Sequence, residues 1–358
     1  MRFVNFMSTA GLSVFASAVS LACAGSSQAQ IHLLSDGPQI ELRDMVARIV
    51  VMPEDRSDID IRVRYGKVHV PTLMVSHHGN VTVLNGHLSN PNKNFGFKFR
   101  IDINDTDNGE VDKGTVFISG LGNVNIGDLP LVFVRVPQNA VVKDSAYSFG
   151  QVKPSKSLDF IMNGNGDWQI EPVSGSLSVI DSGSGTLHVS SAGDSIIDSM
   201  GSGDIDIGSA RNLRISLSGS GGFSSGQSLD TELQNSGSGD VNLGRVRNLR
   251  AQLNGSGDLT LATVGGISVV NNGTSDVRIA RANGPVNLDL SGSGDINIQG
   301  GQIPTFVLKG SGSGDVNYGG IAGTVNIDSN GSGDVKILKA TGNVVTKVVG
   351  SGDMHIGH

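Results

Sequence analysis

The strongest pattern in the chain is an alternation of polar and apolar residues that repeats every 18 to 20 residues through its second half. The tetrapeptide Gly-Ser-Gly-Asp occurs seven times between Gly201 and Asp353, with degenerate copies among and before them. With the Asp of each copy as a marker, the repeats fall at Asp167, Thr186, Asp204, Gly222, Asp240, Asp258, Asp276, Asp295, Asp315, Asp334 and Asp353. A fixed period of this length indicates one structural unit laid down again and again.

Apolar residues recur at fixed distances from the marker. Residues one and three after it are apolar and the residue between them is usually polar, which is typical of a strand with one buried face. These pairs are Trp168/Ile170, Leu187/Val189, Ile205/Ile207, Val241/Leu243, Leu259/Leu261, Val277/Ile279, Ile296/Ile298, Val316/Tyr318, Val335/Ile337 and Met354/Ile356. A second strand has inward pairs nine and seven residues before the marker, which include Leu158/Phe160, Leu177/Val179, Leu213/Ile215, Leu249/Ala251, Ile267/Val269, Val286/Leu288, Phe306/Leu308 and Val325/Ile327. A third inward contact is predicted six residues after the marker, at Ala210, Val246, Val264, Ala282, Ile321 and Ala340.

Two strands and a corner in each repeat predict an all-β fold: a single-stranded parallel β-helix, or β-solenoid, with coils of 18–20 residues. Coils of this kind stack about 4.8 Å apart, and each repeat contacts only its neighbours. An antiparallel sandwich is the alternative, but it does not require the same residue type at the same place in successive units. We therefore expect Val241, Leu259 and Val277 to lie one above another.

The Gly-Ser-Gly-Asp segment is interpreted as the turn between the two strands. Glycine adopts positive φ without a steric penalty, and Ser and Asp side chains close turns by bonding to nearby backbone amides. Cation binding is the alternative role for the Asp residues, because stacked carboxylates repel one another. The calcium-binding nonapeptide repeats have a residue between the last Gly and the Asp, and here the two are adjacent. We therefore assign no calcium, and no cofactor.

Arg214, Glu232 and Arg250 each lie eight residues before successive markers. The alignment predicts that they stack on the outer surface as a cross-coil ladder of ion pairs. Exposed pairs contribute only about 0 to 1 kcal/mol each, so we expect the ladder to fix register more than stability.

The front half is rich in β-type sequence but is not periodic. Strands are predicted at Val46 to Val51, Ile59 to Val63, Val68 to Val75, Val81 to Leu84, Phe95 to Ile103 and Leu131 to Val136. Residues 120–126 resemble a decayed repeat. We expect this half to cap the solenoid and continue it irregularly, because an exposed coil end is an open sheet edge. The acidic segment Asp102 to Asp112 fails the EF-hand spacing and is interpreted as a solvated turn.

Four histidines in this half raise a metal hypothesis: His69, His77, His78 and His87. Adjacent histidines on a strand point to opposite faces, so His77 and His78 do not readily share one ion. The chain has no His-Glu-x-x-His motif and no phosphate-binding loop that opens a helix. We predict no metal site and no catalytic residues.

The first residues have the features of a secretory signal. Arg2 precedes an apolar, small-residue stretch from Gly11 to Ala24, and Ser27-Gln28-Ala29 fits a cleavage site. The only cysteine is Cys23, and it lacks the Leu three positions earlier that lipoproteins carry, so a lipid anchor is disfavoured. Loss of Arg2 would change the net charge from −7 to −8. An acidic exported chain is a poor candidate for binding nucleic acid through its bulk charge.

The signal, the β-rich front half and repeats such as Gly237-Ser238-Gly239-Asp240-Val241-Asn242-Leu243 together resemble a bacterial family, the auto-transporter adhesin head or GIN domain. The resemblance covers residues 40–356 and implies a right-handed parallel β-helix in the periplasm or at the cell surface. It supplies no catalytic residues. Autotransporters end in a membrane β-barrel, whereas this sequence ends inside a repeat, so we do not expect self-export. The predicted organisation is a signal peptide at 1–29, an irregular β-rich part at 30–160 and a regular β-helix at 161–358.

Two functions are compatible with this sequence. The first is an exported, non-catalytic, adhesin-like binding or structural module whose partner is an envelope polymer or protein. The second is a polysaccharide-degrading enzyme of the pectate-lyase-like β-helix type. Short uniform turns and the scarcity of sugar-stacking rings, with Trp168 and Tyr318 the only large polar-tipped ones in the repeats, favour the first. We also predict self-association, or shielding by a partner, at Val344 to Ile356, because the last coil lacks an obvious polar cap.

Overall fold

The computed structural model of the protein describes residues 30–88, 101–102, 114–118 and 122–358. The predicted signal peptide lies outside these residues, as do most of the strand predicted at Phe95 to Ile103 and all of the acidic segment except Asp102. Apart from one 3-10 turn at Ile126–Asp128, the regular structure of the described residues is entirely β.

The strands fall into a mixed front part and a repetitive stack. The front strands are β1 (Gln30–Asp36), β2 (Gln39–Glu54), β3 (Asp58–Arg64), β4 (Met74–His78), β5 (Val81–Asn85), β6 (Ile101–Asp102), β7 (Thr115–Ile118), β8 (Gly122–Asn125) and β9 (Leu131–Pro137). The stack contains β10 (Asn139–Val152), β11 (Ser157–Met162), β12 (Trp168–Ile170), β13 (Leu177–Asp181), β14 (Leu187–Val189), β15 (Ala192–Ser199), β16 (Ile205–Leu217), β17 (Phe223–Asn235), β18 (Val241–Leu253), β19 (Leu259–Asn271), β20 (Val277–Ala282), β21 (Val286–Leu290), β22 (Ile296–Ile298), β23 (Gln302–Gly310), β24 (Val316–Ser329), β25 (Val335–Ala340), β26 (Val344–Val348) and β27 (Met354–Ile356).

Successive coils pair in parallel, in the register that the repeat predicts. Val241 lies opposite Leu259, and Leu259 opposite Val277. All three side chains are fully buried. The predicted all-β solenoid is confirmed, with about 11 turns. In the middle coils the two predicted strands join around the corner into single strands of 13 residues, β16 to β19.

The core is a set of apolar rows that run along the solenoid axis. The inward pairs predicted on both sides of the marker are buried, except that Met354 and Ile356 in the last coil are only half-buried. One corner contact was wrong: Ile321 is exposed, and its neighbour Ala322 is buried in its place. The cause is a shift of register between Tyr318 and Ile321 where β24 pairs with β25.

Glycine recurs at the turns because the coils approach each other too closely for a side chain. A Cβ on Gly239 would overlap the carbonyl oxygen of Gly221 in the preceding coil, and one on Gly257 would overlap that of Gly239. The expected positive φ is wrong for these turns, since among the Gly-Ser-Gly-Asp glycines only Gly350 has a positive φ, at 157°, which is close to extended backbone.

The turns are closed from inside the solenoid by polar residues five positions before the marker. The Asn235 side chain accepts a hydrogen bond from the Gly237 amide at 3.0 Å and donates to the Gly239 carbonyl at 2.9 Å. Asn271 repeats the arrangement two coils later, and Asp181 accepts the Gly183 amide at 2.9 Å. These buried side chains satisfy backbone groups that the turn leaves unpaired.

Antiparallel strands cover the first coil. One edge of β2 pairs in parallel with β10, and its other edge pairs with β5 and β9. Beyond these lie β4, β3 and β1, all antiparallel. The strand predicted at Val68 to Val75 is wrong over most of its length, because β4 begins only at Met74. The decayed repeat at 120–126 is also wrong: β8 pairs antiparallel with β7 in a separate sheet instead of joining the coils.

Candidate binding groove

An elongated groove of about 1060 Å³ runs along the outer surface of the solenoid, from the coil of Asp159 to the coil of Asn287. Two rows of outward side chains border it, ten and eight residues before the marker. We call the first the Asp/Asn row (Asp194, Asn212, Asp230 and Asn248) and the second the charged row (Ile196, Arg214, Glu232, Arg250 and Ser268).

The strand pleat places these rows. Leu213, Thr231 and Leu249 lie between the two rows in sequence and point into the core, where all three are buried. Residues on either side of them must therefore point outward, about 7 Å apart along the strand. Because the coils are in register, equivalent residues follow one another along the groove. The groove is thus built on a packed core and not on loops.

The Asp/Asn row is an alternating ladder of acceptors and donors. Asn212 donates to Asp194 at 2.7 Å, and Arg211 binds the same carboxylate through two nitrogens at 3.0 and 2.7 Å. Two coils later Asn248 and Arg247 bind Asp230 through one nitrogen each, at 2.7 and 2.8 Å.

These contacts also set the acidity of the two carboxyl groups. The hydrogen bond from Arg211 and then that from Asn212 lower the pKa of Asp194. For Asp230 the hydrogen bond from Asn248 lowers the pKa most, followed by that from Arg247. Both carboxylates of the Asp/Asn row are therefore held in the ionised form.

The charged row contains the predicted ladder. Arg214, Glu232 and Arg250 lie in register in successive coils, which confirms the predicted stacking. Arg214 pairs with Glu232 at 2.8 Å. The second predicted pair is absent: among the described residues Arg250 forms no ion pair.

Carboxyl groups of raised pKa lie away from the groove. Burial raises the pKa of Asp144 to about 7, and it raises the pKa of Asp181. Both side chains are fully buried inside the solenoid. Burial also raises the pKa of Asp167, which is a turn marker. An efficient general acid or base has a pKa near the working pH and reaches the substrate, and neither Asp194 nor Asp230 combines these properties.

The Asp markers form a ladder of their own on the turn face. Asp258 accepts the Asp276 amide at 3.0 Å, Asp276 accepts the Asp295 amide at 2.9 Å, and the pattern continues to Asp353. The carboxylates thus bond to the next coil, and the predicted closure of their own turn is wrong. Backbone donors and Arg278, which bridges Asp258 and Asp276 at 2.6 and 2.7 Å, offset the repulsion between stacked charges.

The histidines considered as metal ligands are dispersed. His77 lies 2.9 Å from the Ser35 hydroxyl on the antiparallel cap. His87 lies in a turn with φ 49°, where its amide bonds to Asn85. In the part of the chain that the structure describes, no three His, Cys, Asp or Glu side chains are grouped as a metal site.

The two rings considered for sugar stacking are both inside the solenoid. Trp168 packs edge-on against Phe160 at 5.0 Å, and Tyr318 stacks on Phe306 at 5.8 Å. Burial raises the pKa of Tyr318 to about 12, and its hydroxyl lies 2.9 Å from the Gly301 carbonyl oxygen. Neither ring is available to a ligand at the surface.

Residues 263–357 match the family described as "Putative auto-transporter adhesin, head GIN domain". The resemblance seen in the sequence is confirmed over these residues. No curated protein matches the chain. The described residues contain no helix long and apolar enough to cross a membrane.

Several solved structures are similar over most of their length. One is a "putative lipid binding protein" from Parabacteroides distasonis, 13% identical, covering 93% of this chain and 98% of that one, with a TM-score of 0.22. Another is a "putative adhesin" from Bacteroides fragilis, 12% identical, covering 92% and 97%, with a TM-score of 0.26. A "putative cell adhesion protein" from Clostridium sporogenes is 10% identical and covers 90% and 100%, with a TM-score of 0.21. Similarities this low say nothing about function.

Sequence reasoning found the charged row but missed the Asp/Asn row beside it. A signal was present: Arg-Asn-Leu-Arg occurs at both 211–214 and 247–250, two coils apart. Each copy supplies the Arg and the Asn that bind an Asp one coil earlier. This repeat of 36 residues is superimposed on the shorter period that the apolar core columns follow.

Proposed function

We propose that this protein is an exported, non-catalytic, adhesin-like module of the cell envelope that binds an extended polymer along the groove. The observation that carries the proposal is the groove itself, which is lined by residues of eight successive coils. At about 4.8 Å per coil its length is about 34 Å, which suits a chain-like ligand better than a small molecule. The predicted amino-terminal signal and the family match support the exported location.

The groove is preorganised for binding. The Asp/Asn row is held by amide–carboxylate bonds, Arg214 and Glu232 form an ion pair, and the strands are fixed by a continuous core. A rigid surface loses little conformational entropy when a ligand binds. Alternating carboxylates and amides present acceptors and donors at the coil spacing, which is the chemistry that recognises a hydroxyl-rich or amide-rich chain.

The polysaccharide-degrading alternative is less well supported. The carboxylates of the Asp/Asn row, Asp194 and Asp230, are held ionised by their partners, so they are poor proton carriers at neutral pH. Carboxyl groups with a raised pKa lie at Asp144 and Asp181 inside the solenoid, beyond the reach of a surface polymer.

Binding of the full chain to purified envelope glycans and envelope proteins tests the proposal. Asn212→Trp fills the groove, and Asn242→Trp adds the same ring at an exposed position on another face, as the matched control. We expect Asn212→Trp to lose binding while Asn242→Trp retains it, with unchanged far-UV circular dichroism in both. Equal binding by the two variants would show that the groove is not the binding surface. Cleavage of any bound glycan would favour the enzyme.

A further inference from the structure

One end of the groove carries a cation that the fold does not neutralise. Arg214 pairs with Glu232 in the following coil, but the residue that follows Arg250 in the same register is Ser268. The next coil places Asn287 there. Among the described residues Arg250 has no ion pair, and neither Ser268 nor Asn287 has a side-chain hydrogen bond. Glu232 lies in register one coil before Arg250 but pairs with Arg214. Beyond Glu232, this end of the groove therefore offers one guanidinium and two uncharged polar groups.

The Asp/Asn row is interrupted beside Arg250. Gly266 occupies the position of this row in the next coil and has no side chain to offer a carboxylate or an amide to the guanidinium. A Cβ built there would lie 3.2 Å from the Asn248 amide oxygen and 3.7 Å from Pro285, so these two side chains close in over the glycine. Recognition at this end of the groove therefore depends on the row of Arg250.

We propose that Arg250, Ser268 and Asn287 form an anion subsite, so that the polymer bound in the groove is an acidic polysaccharide. This rests on the proposed function. The planar guanidinium forms two parallel hydrogen bonds with a carboxylate or a sulfate, while Ser268 and Asn287 donate to the same anion or to adjacent hydroxyls. The Asp/Asn row continues along the groove with donors and acceptors for further hydroxyl groups.

A polysaccharide fits this surface better than a polypeptide. Peptides bind sheets chiefly by adding a strand to an open edge. Here β18 is paired on one side with β17 and on the other with β19, so its backbone is already used. Recognition must come from side chains, and hydroxyl groups, which both donate and accept, match the paired Asp and Asn groups.

Binding of polygalacturonate and of its fully methyl-esterified, neutral form tests the inference. Arg250→Gln removes the positive charge from the subsite. Arg245→Gln is the matched control, because Arg245 is an exposed arginine of the same strand that lies outside the groove and also has no ion pair among the described residues. We expect Arg250→Gln to weaken polygalacturonate binding at least tenfold, the lower end for a charge-assisted bond. Arg245→Gln should change it less than twofold, and neither variant should alter binding of the neutral form.

Ser268→Glu is a second variant, which adds a partner instead of removing a residue. By analogy with Glu232 and Arg214, the new carboxylate should pair with Arg250 and abolish the preference for the acidic polymer. Equal losses in Arg250→Gln and Arg245→Gln would overturn the subsite, because bulk charge would then explain the binding. Equal affinity of the unmodified protein for the two polymers, or no affinity for either, would also overturn it. In both cases the Asn212→Trp comparison on envelope material decides separately whether the groove binds a polymer.

Discussion

Asp144 is the buried group whose charge state should control the stability of the first coils. It is fully buried, and its Oδ2 accepts the Trp168 indole N–H at 3.0 Å. Burial raises its pKa from 3.8 to about 7, against smaller opposing effects of hydrogen bonds from Ser148, Trp168 and the Ala146 backbone. Asp144→Asn keeps the shape and an oxygen acceptor for the indole but removes the ionisable proton.

The sign and size of the effect follow from the two pKa values. Between about pH 4 and pH 7 the folded state holds a proton that the unfolded state has lost, so stability falls as the pH rises through this window. At about 1.4 kcal/mol for each pKa unit, the loss from Asp144 reaches about 4 kcal/mol near pH 8. That figure is a ceiling, because relaxation and water entry reduce the cost of a buried charge. Asn has no proton to lose, so Asp144→Asn should match the unmodified protein near pH 4 and be more stable near pH 8.

The fluorescence of Trp168 provides the assay. It is the only tryptophan in the chain and contacts Asp144 directly. In a repeat protein each coil depends mainly on its neighbours, so this signal reports on unfolding around Asp144. In urea unfolding, the midpoint concentration of the unmodified protein should be lower at pH 8 than at pH 5. Asp159→Asn, a control at an exposed position, should show the same decrease. Asp144→Asn should show a smaller decrease. The same pH dependence in Asp144→Asn and the unmodified protein would refute the reasoning.

Two further predictions concern the turns. Gly239→Ala places a Cβ against the Gly221 carbonyl and should destabilise the fold by about 1–3 kcal/mol or more. Gly300→Ala should change the melting temperature little, because its Cβ would lie 4.0 Å from the Gly319 carbonyl oxygen. Similar circular-dichroism melting curves for the two variants would contradict a packing role for the turn glycine. Asn235→Ala leaves a buried amide and a buried carbonyl of its turn without partners, and it should lower the free energy of unfolding by about 1–3 kcal/mol, as measured with urea. Amide hydrogen exchange at Gly237 should become faster. Unchanged exchange there would contradict the role of Asn235 in closing the turn.

The periodic part of the fold was predictable because one constraint acts in every coil. Val241, Leu259 and Val277 must be apolar since each packs on the residue one coil away, and this requirement is visible in the sequence as an exact column. Ile321 shows where the approach fails. Between Tyr318 and the corner, β24 has one residue more than β25, so that Ala322 and not Ile321 points inward. An alignment of the repeats by their distance from the marker cannot show where a coil accommodates an extra residue.

The turn chemistry was assigned to the wrong residues for a related reason. The Asp marker is invariant enough to suggest closure of its own turn, but its partner is the amide of the next coil. The side chains that close the turn lie five positions earlier, at Asn235 and Asn271, where the column alternates with Leu253 and Leu290. A local motif cannot distinguish a bond within a turn from one between coils, because both join the same types of group.

The two periods in the chain explain why the groove has a polarity along its length. Most core columns repeat once per coil, because each coil packs on its neighbours; the buried column of Asn235 and Asn271, which alternates with Leu253 and Leu290, is an exception. The outer rows repeat every two coils, as Arg-Asn-Leu-Arg at 211–214 and 247–250 alternates with the coil that carries Asp230 and Glu232. A ladder of alternating charge is neutral only where each cation is followed by an anion, and the row passes from Arg250 to Ser268 without one. The unpaired positive charge of Arg250 therefore lies where the two-coil pattern stops. The rigid stack of coils holds it in line with the other donors and acceptors of the groove.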